Sequence, residues 1–266
     1  MNRIEKAFDG QKAFVAFLTG GDPDLETTEK LIPSMAQAGA DIIEIGIPFS
    51  DPLAEGPVIQ GADERALAAG CTVDKLFDMV KRLRATVHIP LLFMTYINPI
   101  FAYGKARFMR NCAKAGIDGV IVPDLPFEEH GEIARECADC GITHISMIAP
   151  TSTERVEQIA RSAKGFLYCV SSLGVTGERR KLESGDVGGI IRLVKAASPI
   201  PCAVGFGVST PEQARAMAGV ADGVIVGSAI VRIIAEHGRE SVEPVARYVR
   251  EMKGAMRGHT SEERRA

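Results

Sequence analysis

A short phrase recurs along this 266-residue chain: a helical pattern ends, a glycine follows, and an apolar, mostly β-branched run begins. It stands at Ala38-Gly39-Ala40-Asp41 ahead of Ile42-Ile43-Glu44-Ile45, and at Ala115-Gly116-Ile117-Asp118 ahead of Gly119-Val120-Ile121-Val122. It returns at Cys140-Gly141-Ile142-Thr143 ahead of His144-Ile145-Ser146-Met147, and at Ala218-Gly219-Val220-Ala221-Asp222 ahead of Gly223-Val224-Ile225-Val226. Glycine closes a helix because it enters the left-handed region without a Cβ clash. A short apolar run behind it reads as a buried parallel strand. Regular alternation of the two predicts an α/β fold.

Eight candidate strands begin near Ala13, Ile42, Pro90, Gly119, Thr143, Phe166, Pro201 and Gly223. Helical spacing lies between them, as in Val73, Leu76, Phe77, Val80 and Leu83 behind Thr72, a residue suited to cap a helix. Thr151 with Glu154 has capping-box spacing, and Thr210-Pro211 reads as a cap followed by Pro in the first helical position. Eight strand-helix units without a break in composition predict a closed (β/α)8 TIM barrel, one domain over residues 1–257, with extra helices. A doubly wound sheet is the alternative, weakened because no strand is followed by G-x-G-x-x-G. Met1 to Lys12 reads as a short helix plugging the bottom of the barrel, and 258–266 as a polar, frayed tail.

Composition removes several classes. Apolar residues make up 46% and charged residues 24%, the balance of an ordinary folded chain. A net charge of −3 without a basic face argues against nucleic acid as a partner. No apolar run reaches the roughly 18 residues of a membrane span, and the N-terminus has no signal-peptide core, so the cytoplasm is the expected compartment. Six cysteines in a chain of this kind read as reduced thiols. Cys137 and Cys140 form a C-x-x-C pair, but no second pair or nearby His pair completes a zinc site, and the five His make no cluster, so no metal is expected.

Barrel chemistry sits where the strands end. Glu44 lies inside an apolar strand; with Ile43 and Ile45 facing the helices, it faces the interior, either as a hydrogen-bonded core residue or as a catalytic carboxyl. The Pro-rich loop behind it supplies Asp51 and Glu55, so two carboxylates at one mouth suit acid/base work, while Asp51 alone fits turn capping equally well. Strand seven ends Gly205-Phe206-Gly207, and strand eight ends Gly227-Ser228 against a fresh helix, the pattern of a backbone phosphate site. The loop Ser171 to Arg180, with Gly174 and Gly177, reads as a lid or as a solvated connection.

The run Glu44-Ile45-Gly46-Ile47-Pro48-Phe49-Ser50-Asp51-Pro52-Leu53-Ala54-Glu55-Gly56-Pro57 resembles the signature of the tryptophan synthase alpha chain family. Phe17-Leu18-Thr19-Gly20-Gly21-Asp22-Pro23, Thr95-Tyr96-Ile97-Asn98-Pro99-Ile100, Pro123-Asp124-Leu125-Pro126, Gly174-Val175-Thr176-Gly177, Gly205-Phe206-Gly207 and Gly227-Ser228 extend the likeness over nearly the whole chain. The resemblance implies a cofactor-free retro-aldol cleavage of indole-3-glycerol phosphate to indole and glyceraldehyde 3-phosphate. It implies a beta chain partner in an alpha2-beta2 assembly, which holds pyridoxal phosphate and joins the indole to serine. By position it implies Glu44 and Glu55 as the catalytic acids. Phe17, Tyr96, Tyr168 and Phe206 would surround the indole, and Thr176, Gly177, Gly207, Gly227 and Ser228 the rest of the substrate. Pro52 and Asn98 would meet the beta chain. Many members carry Asp where this chain has Glu55. Other phosphate-binding barrels, a subunit that mainly activates its partner, and a lyase acting alone are the rival readings.

Overall fold

The computed structural model describes residues 1–149, 153–170, 184–205 and 207–257, without the side chains of 184–187. Its strands are β1 (Ala13–Thr19), β2 (Ile42–Gly46), β3 (Leu91–Met94), β4 (Gly119–Ile121), β5 (Thr143–His144), β6 (Ser146–Ile148), β7 (Leu167–Val170), β8 (Cys202–Gly205) and β9 (Gly223–Val226). Neighbours pair in parallel in the order β5-β4-β3-β2-β1-β9-β8-β7-β6. The two edge strands, β5 and β6, are consecutive in the chain and separated by Ile145 alone. The fifth predicted strand is thus split: its first half pairs with β4, its second with β7, and the ring closes through this one run. Eight expected strands become nine segments for that reason, and the barrel stands.

Three predicted starts shift by one residue: Phe166 gives way to Leu167, and the other two are prolines. Pro90 and Pro201 lie just ahead of β3 and β8, where their carbonyls accept from Ile43 N–H (3.1 Å) and Leu167 N–H (2.8 Å). A proline has no N–H to return, so the two-way ladder begins at the next residue.

The aspartate of the repeated phrase clamps each new strand to the one before it. Asp41 donates its N–H to Phe14 O and accepts from Phe14 N–H through Oδ2 at 2.6 Å. Asp118 does the same with Leu91, and Asp222 with Cys202. Each carboxylate also meets a cation: Lys253 at Asp41, Arg84 and Arg3 at Asp118, and Lys195 at Asp222.

Around the barrel stand α2 (Leu25–Ala38), α3 (Pro57–Ala68), α4 (Val73–Leu83), α5 (Ile97–Tyr103), α6 (Lys105–Ala115), α7 (Gly131–Cys140), α8 (Thr153–Ser162), α9 (Ser184–Ala197), α10 (Pro211–Val220), α11 (Ser228–His237) and α12 (Val242–Met256). Thr72 caps α4, and Thr210 with Gln213 closes a full capping box on α10. Thr151 lies outside the described residues. Strand residues alternate between two cores. Ile43, Ile45, Phe93 and Leu18 face the helices, whereas Val15, Ile42, Leu92, Ile121 and Ile225 fill the barrel. The bottom of that inner core is shut by α1 (Arg3–Ala7), whose Ile4 and Ala7 are buried in it, as the plug reading expected. Among the described residues, no helix is long and apolar enough to cross a membrane.

Candidate active site

Two stretches of chain build the top of the barrel next to β1. The loop after β2 carries Ala54 and Glu55 and runs into α3, where Gly56 precedes Pro57 at the first helical position. The loop after β9 is a single residue, Gly227, and α11 starts at Ser228. Between them lies a pocket lined by Phe17, Glu55, Tyr96, Tyr168, Gly207, Gly227 and Ser228 of the predicted site. Ile59, Met94, Pro123, Met147, Val208 and Ile225 complete an apolar wall. A larger cleft of about 790 Å3 opens beside Phe8, Lys12, Asp222, Lys253 and Arg257, at the other end of the strands. Lys253 there is tied to Asp41 and to Lys12 O, so that cleft belongs to the strand-start clamps rather than to chemistry.

Glu44 is fully buried in β2, in register with Phe17 on one side and Leu92 on the other. It stands behind the pocket wall, and neither carboxyl oxygen has a hydrogen-bond partner among the described residues. Burial alone pushes its pKa from 4.5 up to about 8, so the group holds a proton at neutral pH. The Tyr168 hydroxyl lies near enough to feel the Glu44 charge, and burial raises its pKa further. A Cβ on Gly205 would sit 2.8 Å from that hydroxyl, so glycine makes the room in which the ring lies.

Glu55 faces the pocket, and its Oε2 is buried without a partner among the described residues. Burial raises its pKa, opposed by hydrogen bonds with Asp63 and Tyr96. The Tyr96 hydroxyl accepts from Ala54 N–H at 2.9 Å, which ties the loop to the cap of α5. Asp51 is exposed, accepts from the Ser50 hydroxyl at 2.5 Å and is not among the residues that line the pocket. Asp63 was missed from the sequence. It is 4% exposed on the buried face of α3, with Ile59, Ala62 and Ala66. A lone carboxylate on that apolar stripe was the signal that could have found it.

The glycines after β8 and β9 meet at the same pocket. Gly207 has φ 81°, a left-handed conformation that favours glycine. A Cβ on Gly227 would stand 3.3 Å from the Phe17 ring. The first N–H groups of α11 have no partner within the helix and open at the pocket beside Ser228 and Ala229. Such a terminus accommodates a phosphate dianion. Thr176, Gly177 and Phe206 lie outside the described residues, as do Ser171 to Arg180 and the tail 258–266. Asn98 is exposed on α5 and Pro52 is half-buried; Leu53 and Phe101 beside them are 76% and 46% exposed.

Comparison with known proteins places the chain. The family described as tryptophan synthase alpha chain matches residues 5–259. The tryptophan synthase alpha chain of Geobacter sulfurreducens is 47% identical over 268 residues, covering 96% of this chain and 99% of the relative. That of Lacticaseibacillus casei is 43% identical over 256 residues, covering 96% of each. Among solved structures, the alpha subunit from Legionella pneumophila superposes with a TM-score of 0.89 at 38% identity, covering 97% of this chain and 100% of that one. A chain of the alpha2-beta2 tryptophan synthase complex of Pyrococcus furiosus gives 0.85 at 36% identity, covering 92% and 98%.

Proposed function

The chain belongs to the tryptophan synthase alpha chain family, and we propose that Glu44 and Glu55 carry its reaction in the pocket between β1, α3 and α11. The reaction is the lyase half of tryptophan synthesis: indole-3-glycerol phosphate is cleaved to indole and glyceraldehyde 3-phosphate, and the indole passes to a beta chain. The partner is that beta chain, in an alpha2-beta2 assembly.

The bond between indole C3 and the glycerol chain breaks only when the ring can take its electrons. Protonation of C3 makes the ring a cationic indolenine, an electron sink. Glu44 is the acid for that step, because burial keeps its proton on at neutral pH. Turning its side-chain torsions carries the carboxyl from the strand to the ring. Once ionised, Glu44 takes the proton of the glycerol hydroxyl as the carbonyl forms, the C3 bond breaks, and its electrons neutralise the ring nitrogen. Glu55, at the pocket edge, holds the ring N–H and stabilises the cation. Phe17, Tyr96 and Tyr168 enclose the ring, with Phe206 assigned there by position. The α11 terminus with Gly207, Gly227 and Ser228 anchors the phosphate, and Thr176 and Gly177 are assigned to the substrate by position alone. Remote phosphate binding thus becomes positioning at C3.

The beta contact falls at Pro52 and Asn98, which the exposed Leu53 and Phe101 support. The reaction as drawn takes only protein carboxyls in this chain, and pyridoxal phosphate belongs to the beta chain. Six cysteines standing as free thiols fit a reducing compartment, which supports the cytoplasm. The single observation that carries the mechanism is the buried Glu44 carboxyl, which has no hydrogen-bond partner among the described residues. Incubating the chain with indole-3-glycerol phosphate, with and without a beta chain, tests the function. Indole is expected in both cases and faster with the partner; no indole in either overturns the reading.

A further inference from the structure

We infer that Asp63 is a positioning residue for this reaction: it holds a proton shared with Glu55, and so keeps the Glu55 carboxylate charged and turned to the pocket. The inference rests on the assignment of Glu55 above. Asp63 is buried on α3 with no cation paired to it among the described residues. Arg65, two positions further along α3, gives its Nε and Nη2 to Asp22 at 2.8 and 2.9 Å. The groups that do face Asp63 are the Glu55 carboxyl, the Phe49 backbone N–H and, at longer range, the Asp22 carboxylate. On its other side Glu55 meets the Tyr96 hydroxyl.

Asp63 and Glu55 lie within hydrogen-bonding reach of each other, yet Asp63 Oδ2 and Glu55 Oε2 are both buried without a donor among the described residues. Two adjacent buried carboxylates do not both stay charged. One proton between them satisfies both orphan oxygens. Asp63 keeps it: burial and the Glu55 charge push its pKa up to about 9. Burial raises the Glu55 pKa too, but the hydrogen bonds from Asp63 and Tyr96 oppose that rise, whereas the Glu55 charge adds to the rise at Asp63. A protonated Asp63 donates to Glu55, and the negative charge stays on the residue that faces the substrate.

Asp63→Ala and Asp63→Asn, assayed on indole-3-glycerol phosphate with a beta chain across pH, test this. Alanine removes the donor. The expected result is a fall in kcat of roughly tenfold or more, KM within about twofold, and an acid limb moved up by about one unit. Asparagine supplies a permanent N–H, so kcat returns to within about threefold of wild type and the acid limb stays in place. An Ala variant with unchanged kcat and acid limb overturns the inference, as does a folded Asn variant as impaired as Ala. Thermal unfolding checks both. If the Ala variant does not fold, the Asn variant decides alone: wild-type kcat and acid limb support the shared proton, and lost activity overturns it. A wild-type enzyme that forms no indole removes the parent reading instead, before any variant is compared.

Discussion

Glu44 stands where a carboxyl costs the fold most, in a barrel core with no donor for either oxygen among the described residues. Its raised pKa sets two pH dependences of defined sign. Activity needs the proton, so kcat is expected to fall as pH rises through about 8. Stability follows the same titration. Below 4.5 both folded and unfolded chains hold the proton and no penalty exists; between 4.5 and about 8 only the unfolded chain ionises, and folding loses free energy. Glu44→Gln should therefore abolish cleavage while raising Tm relative to wild type at pH 9 and not at pH 4. Wild-type turnover in that variant, followed by indole release, would remove Glu44 from the mechanism. Glu55 needs the opposite state, ionised, and its length matters as well. Glu55→Asp should retain substantial turnover and Glu55→Ala should lose it by roughly a hundredfold, the scale of one charge-stabilising group. Near-normal kcat for the Ala variant would show that the ring cation is held by something else.

At the scale of the element, the recurring phrase proves to be a joint. Gly39, Gly116 and Gly141 end their helices in the left-handed conformation, whereas Gly219 lies inside α10, which runs on to Val220 and stops at an extended Ala221; the aspartate then reaches across to the preceding strand: Asp41 to Phe14, Asp118 to Leu91, Asp222 to Cys202. Asp118 is the most heavily used, taking Arg84 at 2.5 Å and Arg3 at 2.9 Å as well. Asp118→Ala takes the carboxylate from a nearly buried Arg84 guanidinium, which keeps only the Gly116, Val87 and Ile89 carbonyls, and leaves the Leu91 N–H without that acceptor. It should destabilise the protein by about 2–3 kcal/mol in denaturant unfolding, with KM unchanged. A loss under about 0.5 kcal/mol would mean that the clamp is decoration. The glycine and strand parts of this joint were legible in the sequence, because a helix stop and a β-branched run are local signals. The purpose of the aspartate was not. Its partners lie 27, 27 and 20 positions away, and no local pattern reports them. The split of the fifth strand at Ile145 was hidden for the same reason: both halves are good strand sequence, and only ring closure makes them choose different neighbours.

Across the whole molecule the two ends of the barrel do different work. The lower end is closed by Ile4 and Ala7 of the N-terminal helix against Phe166, Ile145 and Leu92. Ile4→Ala should cost about 2–4 kcal/mol of stability by calorimetry and leave the active-site carboxyls in place. Unaltered Tm would show that the plug is only a lid on an already stable barrel. The upper end holds the pocket and, beside it, the exposed pair Leu53 and Phe101. Leu53→Ser is expected to weaken activation by a beta chain about tenfold, since a large apolar side chain at an interface centre is worth on the order of 1–2 kcal/mol. Full activation at low beta chain concentration would place the contact elsewhere.

By itself the sequence determined the alternation of strands and helices, the inward direction of Glu44 between Ile43 and Ile45, and the glycine-lined end of the last strands. Each rests on a period or a conformational preference that neighbouring residues carry. Tertiary structure alone decided which groups share a dielectric. It put the carboxyl of Asp63 against that of Glu55, stood the Tyr168 hydroxyl over Gly205, and gave Glu44 no donor among the described residues. Protonation states depend on burial and on charges brought from distant positions, so the acid and the anion of this site exist only once the barrel has closed.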